Sequence, residues 1–456
     1  MLAACKQPGE LPTGLSIAGE WRDVGELALL SDITYLDQNG RRRSEGEIFD
    51  AAFDMIEQAR RFILLDMFLY NSFTGRETGV TRALSSELTE KLIAQKKAWP
   101  DLQIVLISDP VNTVYGGLES ADFKALAAAG IAVVITDLDR LPDSNPLYSF
   151  FWRLLIQPFG NSRAETLPNP FGEGRVSVRS WLRMLNFKAN HRKVLVADSG
   201  DDLVALVVSA NAQDASSAHS NIGLRLTGPA AHDLIATENA ILAFSGGAPL
   251  EVAMPPRRTG SGVTVQVLTE SRIRDDILAR LDSLGPGDEV DIAMFFLTHR
   301  ATIRALKRAH ARGARLRIVL GPNQTAFGVK RYGIPNVSVA AELRRAGIAL
   351  RWCDAHGEQC HSKIMIVRRA SGEAEISLGS TNYTRRNLDG YNPETNLVLR
   401  GAASRQVFRR ASAWFEMIWN NEPGRRFTAE YDVHAGDAAW KWLIYRFGEG
   451  TGWSTW

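Results

Sequence analysis

Cysteine is scarce. Three in 456 residues, Cys5, Cys353 and Cys360, are too few and odd in number for a disulfide framework, so the fold must rest on an apolar core. No uninterrupted apolar run is long enough to cross a bilayer. An excess of one charge is missing too: 53 basic and 51 acidic residues leave a formal charge of +2. That balance does not demand a polyanionic partner, although it leaves room for a local basic cleft. What is present is 45% apolar content in a chain too long for one small core. This excludes general disorder and predicts two domains or two fused halves.

The chain repeats itself. The helical stripe Ile48-Phe49, Ala52-Phe53, Ile56 leads into the strand-like run Phe62 to Tyr70, and Ile273, Ile277-Leu278, Leu281 leads into Val290 to Leu297. Next come Ile104 to Pro110 and Leu316 to Pro322, each a buried-strand pattern closed by proline. Leu126-Ala127-Ala128-Ala129-Gly130-Ile131 then answers to Leu343-Arg344-Arg345-Ala346-Gly347-Ile348, a helix end stopped by glycine. Three matches in one order predict two similar α/β lobes, each a mixed sheet flanked by helices.

The expected division is a tail at 1–20, a first lobe at 21–245, a linker at 246–262 rich in glycine and proline, a second lobe at 263–430 and an aromatic segment at 431–456. Gly130 and His191 are 61 positions apart, but Gly347 and His361 only 14, so the first half carries 47 extra residues, at about 140–187. Much of this insertion is aromatic: Tyr148, Phe150-Phe151-Trp152, Phe159. It reads either as a buried helix or as a lid or membrane-facing element beside the active site.

Each half ends in the same polar cluster. The first has His191-Arg192-Lys193, Asp198 and Ser209-Ala210-Asn211; the second has His361-Ser362-Lys363 and Ser380-Thr381-Asn382. His and Asn are 20 and 21 positions apart, which puts each set on two neighbouring strands, with His and Lys on one face by strand periodicity. One His-x-Lys would be an ordinary strand end; two in matched places point to chemistry. A neutral imidazole can attack phosphorus while a second, protonated one supplies the leaving group's proton. The two lysines and Asn211 and Asn382, with Ser209 and Ser380, would bind the phosphate oxygens, with no metal or other cofactor.

These paired motifs resemble the phospholipase D superfamily, whose signature is His-x-Lys-x4-Asp followed by Gly-Ser-x-Asn, twice per active site. The resemblance implies two lobes packed about a pseudo-twofold axis around one shared site. It also implies a carboxylate some thirty residues past each histidine that orients the histidine of the other half. Glu394, in Glu394-Thr395-Asn396, matches that place in the second half, and the corresponding place in the first is His219, in His219-Ser220-Asn221. Arg368 replaces the family's Asp, and Val208 its Gly. If Glu394 reaches His191, His191 is the nucleophile and His361 the general acid. Asp198 reads as structural, a strand-end carboxylate bonded to backbone.

Lipid and nucleic acid both present phosphodiesters. The aromatic insertion and the segment Trp440-Lys441-Trp442-Leu443-Ile444-Tyr445-Arg446-Phe447 speak for a phospholipid and a membrane surface, and the near-neutral charge speaks against nucleic acid. The expected enzyme is a phospholipase D or a phosphatidyltransferase resembling bacterial cardiolipin synthases, particularly with Asn190 before His191, acting as a monomer. A metal-independent nuclease and an inactive phosphate-binding lobe pair are the alternatives. Met1-Leu2-Ala3-Ala4-Cys5 is similar to a bacterial lipoprotein box without its preceding stretch, so either the start is truncated or the match is accidental; the expected location is peripheral on the cell envelope. Cys353, His356, Cys360 and His361 fit no common zinc spacing, and a Cys353–Cys360 disulfide is the better reading in an exported protein.

Overall fold

The computed structural model describes residues 11–74, 81–254, 260–323, 325–326, 329–330, 332–436 and 438–454. Cys5 with its box, and residues 255–259 of the expected linker, lie outside the described residues.

Two large mixed sheets carry the fold. In chain order their strands are β1 (Arg22–Asp23), β2 (Leu27–Asp37), β3 (Phe62–Met67), β4 (Gln103–Ser108), β5 (Ala132–Ile135), β6 (Lys193–Ser199), β7 (Asp202–Val208) and β8 (Asn221–Thr227). The second half supplies β9 (Val263–Thr269), β10 (Glu289–Met294), β11 (Arg315–Leu320), β12 (Ala349–Cys353), β13 (Lys363–Arg368), β14 (Glu373–Gly379), β15 (Thr395–Ala402), β16 (Arg425–Arg426) and β17 (Thr428–Glu430). The first sheet runs β16-β2-β8-β7-β6-β3-β4-β5, with the short strand Arg42–Glu45 also paired to β2, and the second runs β1-β9-β15-β14-β13-β10-β11-β12-β17. Seven consecutive strands therefore repeat in the same spatial order, with β3-β4-β5 and β10-β11-β12 parallel and the neighbours antiparallel. The edges are exchanged: β1 pairs with β9 of the second sheet, and β16 pairs with β2 of the first.

Strand alternation builds two kinds of core. Val194 and Val196 of β6 and Ile364 and Ile366 of β13 belong to one continuous apolar cluster spanning both sheets. Leu195 and Ala197 point the other way, into a cluster with the helix Ile48–Gln58, and Met365 and Val367 into one with the helix Ser271–Asp282. Each sheet thus has one face against its own helices and one against the other lobe, as near-continuous apolar runs require. Burying each such side chain is worth about 1.5–3 kcal/mol, so the interlobe face contributes to holding the two sheets together.

The insertion forms the helix α1 (Pro146–Leu155), a two-residue hairpin at Leu167–Pro168 and Arg175–Val176, and the helix α2 (Val178–Met184). The C-terminal segment forms α3 (Ala439–Thr451), held to the second lobe by buried Tyr445, whose hydroxyl donates to Thr298 O at 2.9 Å. Cys353 and Cys360 form a disulfide, so neither thiol is a zinc ligand. No helix among the described residues is long and apolar enough to cross a membrane.

Candidate active site

His191 and His361 stand two residues before β6 and β13, where each chain enters a central strand. Their backbones are tied across the lobe boundary. His191 N–H donates to Pro393 O at 3.0 Å and His361 N–H to Ser220 O at 2.7 Å, so each is clamped by the residue chain about to enter β15 or β8 of the opposite lobe. Both imidazoles line one cavity of about 460 Å³, together with Asn211 and Asn382. The Oδ1 atoms of both asparagines are buried without a hydrogen-bond partner, which is costly unless a ligand supplies a donor or the amide turns its NH₂ inward to a phosphate oxygen.

A phenylalanine backs each motif. Phe68 meets His191 edge-on at 4.9 Å between centroids, with Lys193 Nζ 5.1 Å from its ring; Phe295 meets His361 at 5.1 Å, with Lys363 Nζ at 5.4 Å. Each ammonium donates to the carbonyl of its own histidine at 2.7 Å. The lysines therefore sit one layer back from the histidines and asparagines of the wall. Burial pushes Lys193 down to about 7, against the pull of Glu394, Asp66 and Asp109. Burial and the charge of Lys193 push Lys363 well down too. An anion entering this cavity would favour the charged form of both lysines, which burial disfavours.

His191 Nδ1 lies 2.9 Å from Glu394 Oε1 and 3.0 Å from Oε2. The carboxylate can only accept, so the proton sits on Nδ1 and the Nε2 lone pair is left for the cavity. Burial would raise the Glu394 carboxyl, but His191, Lys193 and Ser380 outweigh it and hold it below its ordinary value. Burial, opposed by Glu394 and aided by both lysines, brings His191 down to about 4. His361 is pushed well below its ordinary value by burial, Lys363, His219, Lys193 and His191. Both rings are thereby held in the neutral form near pH 7.

The partner of His361 is Asn221, whose Oδ1 lies 3.3 Å from its Nδ1. Asn221 Nδ2 donates to His219 O at 3.3 Å and Asp32 Oδ2 at 3.4 Å, which turns the amide oxygen toward the imidazole. This corrects the assignment of His219 as the counterpart of Glu394. Ser209 pairs through backbone bonds with Ile222, and Ser380 with Thr395, so Asn221 is the residue in register with Glu394. His219 lines the cavity instead, its ring 6.1 Å from that of His361.

Ser209 and Ser380 were expected to bind substrate, and the structure corrects this as well. Both are fully buried and committed: Ser380 Oγ donates to Glu394 Oε2, and Ser209 Oγ to Asn221 Oδ1 at 3.4 Å. Each serine thus steadies the group that orients the histidine of the other lobe. Asp198 accepts from the backbone N–H groups of Arg60, Arg61 and Phe62 at 2.9–3.1 Å, tying the loop before β3 to the end of β6. In the second lobe Arg368 makes the equivalent tie with charges reversed, to Asp291 at 2.6 Å and to Glu289. Val208, in place of glycine, faces Gly223, where an added Cβ would fall 2.7 Å from its Cγ1; Gly379 faces Asn396 in the other lobe, so the small residue has changed sides of the pair.

The second half, over residues 277–419, matches the family described as "Cardiolipin synthase, PLD-like domain". In fold the chain is two similar α/β lobes. The whole architecture is shared with the crystal structure of phosphatidylserine synthase from Haemophilus influenzae Rd KW20, at a TM-score of 0.58 and 10% identity, covering 96% of each chain. Other solved structures that match are the phospholipase D family member Nuc from Salmonella typhimurium (TM-score 0.28, 20% identity, 37% of this chain and 99% of that one) and the polyphosphate kinase from Porphyromonas gingivalis (0.45, 12%, 94% and 53%). No curated protein matches.

Beneath this site lies a buried network that the motifs do not announce. Arg192, between His191 and Lys193, is fully buried and donates to Glu270 Oε1 at 2.6 Å and Glu238 Oε1 at 3.2 Å. Glu270 Oε1 also accepts from the backbone N–H of Glu394 at 3.1 Å. The residue beside one candidate nucleophile is therefore joined, through one carboxylate, to the group that orients it. Asn190, on the other side, donates to Asp66 at 2.9 Å through Nδ2 and to Asp109 at 2.7 Å through its backbone.

Proposed function

We propose that the chain is a phospholipase D-type phosphodiesterase or phosphatidyltransferase acting on phospholipids, with one active site made by both lobes of a single chain. The observation that carries this reading is the unequal setting of two neutral imidazoles on one cavity, His191 against a carboxylate and His361 against an amide. His191 Nε2 attacks phosphorus, forming the N–P bond as the P–O bond to the departing alkoxide breaks. The phosphorylated ring is cationic, and Glu394 stabilises it. The entering phosphodiester, bringing negative charge among Lys193, Lys363 and the imidazoles, favours protonation of His361. With only an amide behind it, the His361 imidazolium gives its proton readily to the leaving oxygen. It then takes a proton from water or from a lipid hydroxyl, whose oxygen attacks phosphorus and breaks the N–P bond. Asn211, Asn382 and the lysines hold the non-bridging oxygens.

The cavity wall favours a lipid. Opposite the polar groups stand Leu69, Val111, Phe171, Trp181, Met184 and Phe187, an apolar surface suited to acyl chains and of little use to a nucleic acid backbone. The description of the matched family points the same way, and a peripheral position on the cell envelope follows from this reading. The test is incubation of the purified chain, in chelator, with phosphatidylglycerol, phosphatidylcholine or single-stranded DNA, with products read by mass and the phosphoenzyme trapped in acid-free quench. Lipid turnover that vanishes in His191→Ala, with the label on His191, is expected. A label on His361 would reverse the two roles. Cleavage of DNA alone would make the chain a nuclease, and phosphate binding without turnover an inactive lobe pair.

A further inference from the structure

Two helices of this chain are amphipathic the wrong way round for water. On α1 the residues facing solvent are Leu147 (62% exposed), Phe151, Leu154 (61%) and Leu155, at the spacing of one helical stripe, while Ser149 and Trp152 are buried. On α3 Trp440, Leu443 (60%), Ile444 and Phe447 (62%) form a second such stripe, while Tyr445 and Glu449 are buried. A soluble helix turns its apolar stripe inward, so both faces lack their natural neighbour.

The two stripes are joined. Trp453, just beyond α3, meets Tyr148 of α1 edge-on at 6.2 Å and Phe187 at 6.3 Å. Gly452, at φ +78°, fits against Ser144 O where an added Cβ would stand at 1.8 Å, so the seam admits only glycine. Phe187 also lines the cavity, as do Trp181 and Met184 of α2, which makes the outer patch continuous with the wall beside His191. The rim is basic: Arg153 and Arg183 are paired with Asp143 and Asp139, and Arg179 on α2 and Lys441 and Arg446 on α3 add positive charge, while the one acid of these helices, Glu449, is buried. Lys441 lies 5.7 Å from the Trp440 ring and Arg446 5.7 Å from that of Trp442, the pairing of aromatic ring and cation that suits a headgroup layer.

We propose that the exposed faces of α1 and α3 dock on an anionic lipid bilayer, apolar stripes among the acyl chains and the basic rim among the phosphates, so that a lipid passes to the cavity over Phe187 without crossing water. The proposal rests on the phospholipid reading above for its purpose, not for its geometry. A second copy of the chain is the poorer occupant, because a symmetric dimer through this patch would set the basic rims against each other. The rim also explains why one lipid charge matters: apolar insertion supplies the contact, and the cations select anionic headgroups.

The test uses the full chain bearing His191→Ala, so that lipid is not consumed, sedimented with vesicles of phosphatidylcholine alone or mixed with phosphatidylglycerol. Binding should favour the anionic vesicles and weaken with salt, and the triple variant L154Q/L443Q/F447Q should bind roughly tenfold or more weakly. With His191 restored, the triple variant should still turn over a short-chain, monomeric phosphatidylglycerol at the parent rate. Wild-type protein left in the supernatant, or a triple variant that binds as well as its parent, would overturn the docking surface. So would a dimer that the same substitutions split, which would make a second copy the occupant. Vesicle binding without turnover of monomeric lipid would uphold the docking surface and defeat the catalytic reading, so the two fail separately.

Discussion

His361 Nδ1 meets the amide oxygen of Asn221 at 3.3 Å in the place where His191 Nδ1 meets the carboxylate of Glu394 at 2.9 Å. The lobes are alike in strand order, in backbone clamp and in supporting serine, and this difference in side-chain chemistry sets the two histidines apart. A carboxylate favours a cationic ring; a neutral amide fixes orientation and leaves the ring a strong acid.

Asn221→Asp removes that difference with little change of shape. A carboxylate this close raises the imidazole pKa by about 1–3 units. Since His361 has to be protonated to release the leaving group, the alkaline limb of the kcat profile should move to higher pH by a similar amount, while the maximal rate falls as the acid weakens. A profile that stays in place, or an acid limb that moves instead, would refute the role of His361 as proton donor.

The duplicated strands, the His, Lys and Asn sets and the disulfide partners were all readable because strand periodicity and repetition are local properties. Register is not. The connection from Ser209 to its partner Ile222 spans 13 positions and that from Ser380 to Thr395 spans 15, so setting His219-Ser220-Asn221 against Glu394-Thr395-Asn396 picks His219 and misses Asn221 by two residues. The two serines looked like ligands because their sequence neighbours are; only the fold turns their hydroxyls inward. Phe68 and Phe295 did carry a signal, the shared Met-Phe step at Met67-Phe68 and Met294-Phe295. The exchange of β1 and β16 left none, since edge strands of two residues have no periodicity to read. The aromatic run at 147–159 reads either as a buried helix or as an exposed element; that α1 turns Leu147, Phe151, Leu154 and Leu155 outward is decided by what lies on its other side.

Protonation of His191 is linked to stability. Its pKa is depressed to about 4 in the folded chain, from about 6.5 unfolded, mainly by burial. The folded state therefore binds fewer protons, and the contribution is fully present above pH 6.5 and is lost as pH falls through 4. A shift of that size corresponds to something on the order of 2–3 kcal/mol. His191→Gln cannot take up the proton, so its melting temperature should decline less than that of the parent between pH 7 and pH 4. Parallel curves would mean that His191 is not held neutral by its surroundings.

Arg192 tests whether the two lobes are locked at the site by charge. Its guanidinium, with no exposure, sits between Glu238 on the helix Ala230–Phe244 and Glu270 at the end of β9, and Glu270 in turn holds the Glu394 peptide. Arg192→Met matches the volume yet leaves two buried carboxylates facing each other without a counter-ion. Breaking a buried pair in this way costs about 3–5 kcal/mol, far more than forming it contributes. The denaturant midpoint should fall accordingly. Adding Glu270→Gln removes one stranded charge, so R192M/E270Q should be more stable than R192M alone, a coupling that contact across a lobe boundary demands. The double variant should still lose activity, because the neutral amide grips the Glu394 backbone less strongly and loosens the carboxylate behind His191. If instead the two substitutions add independently in stability, Arg192 and Glu270 do not share their charge, and the link from the first lobe to Glu394 is packing alone.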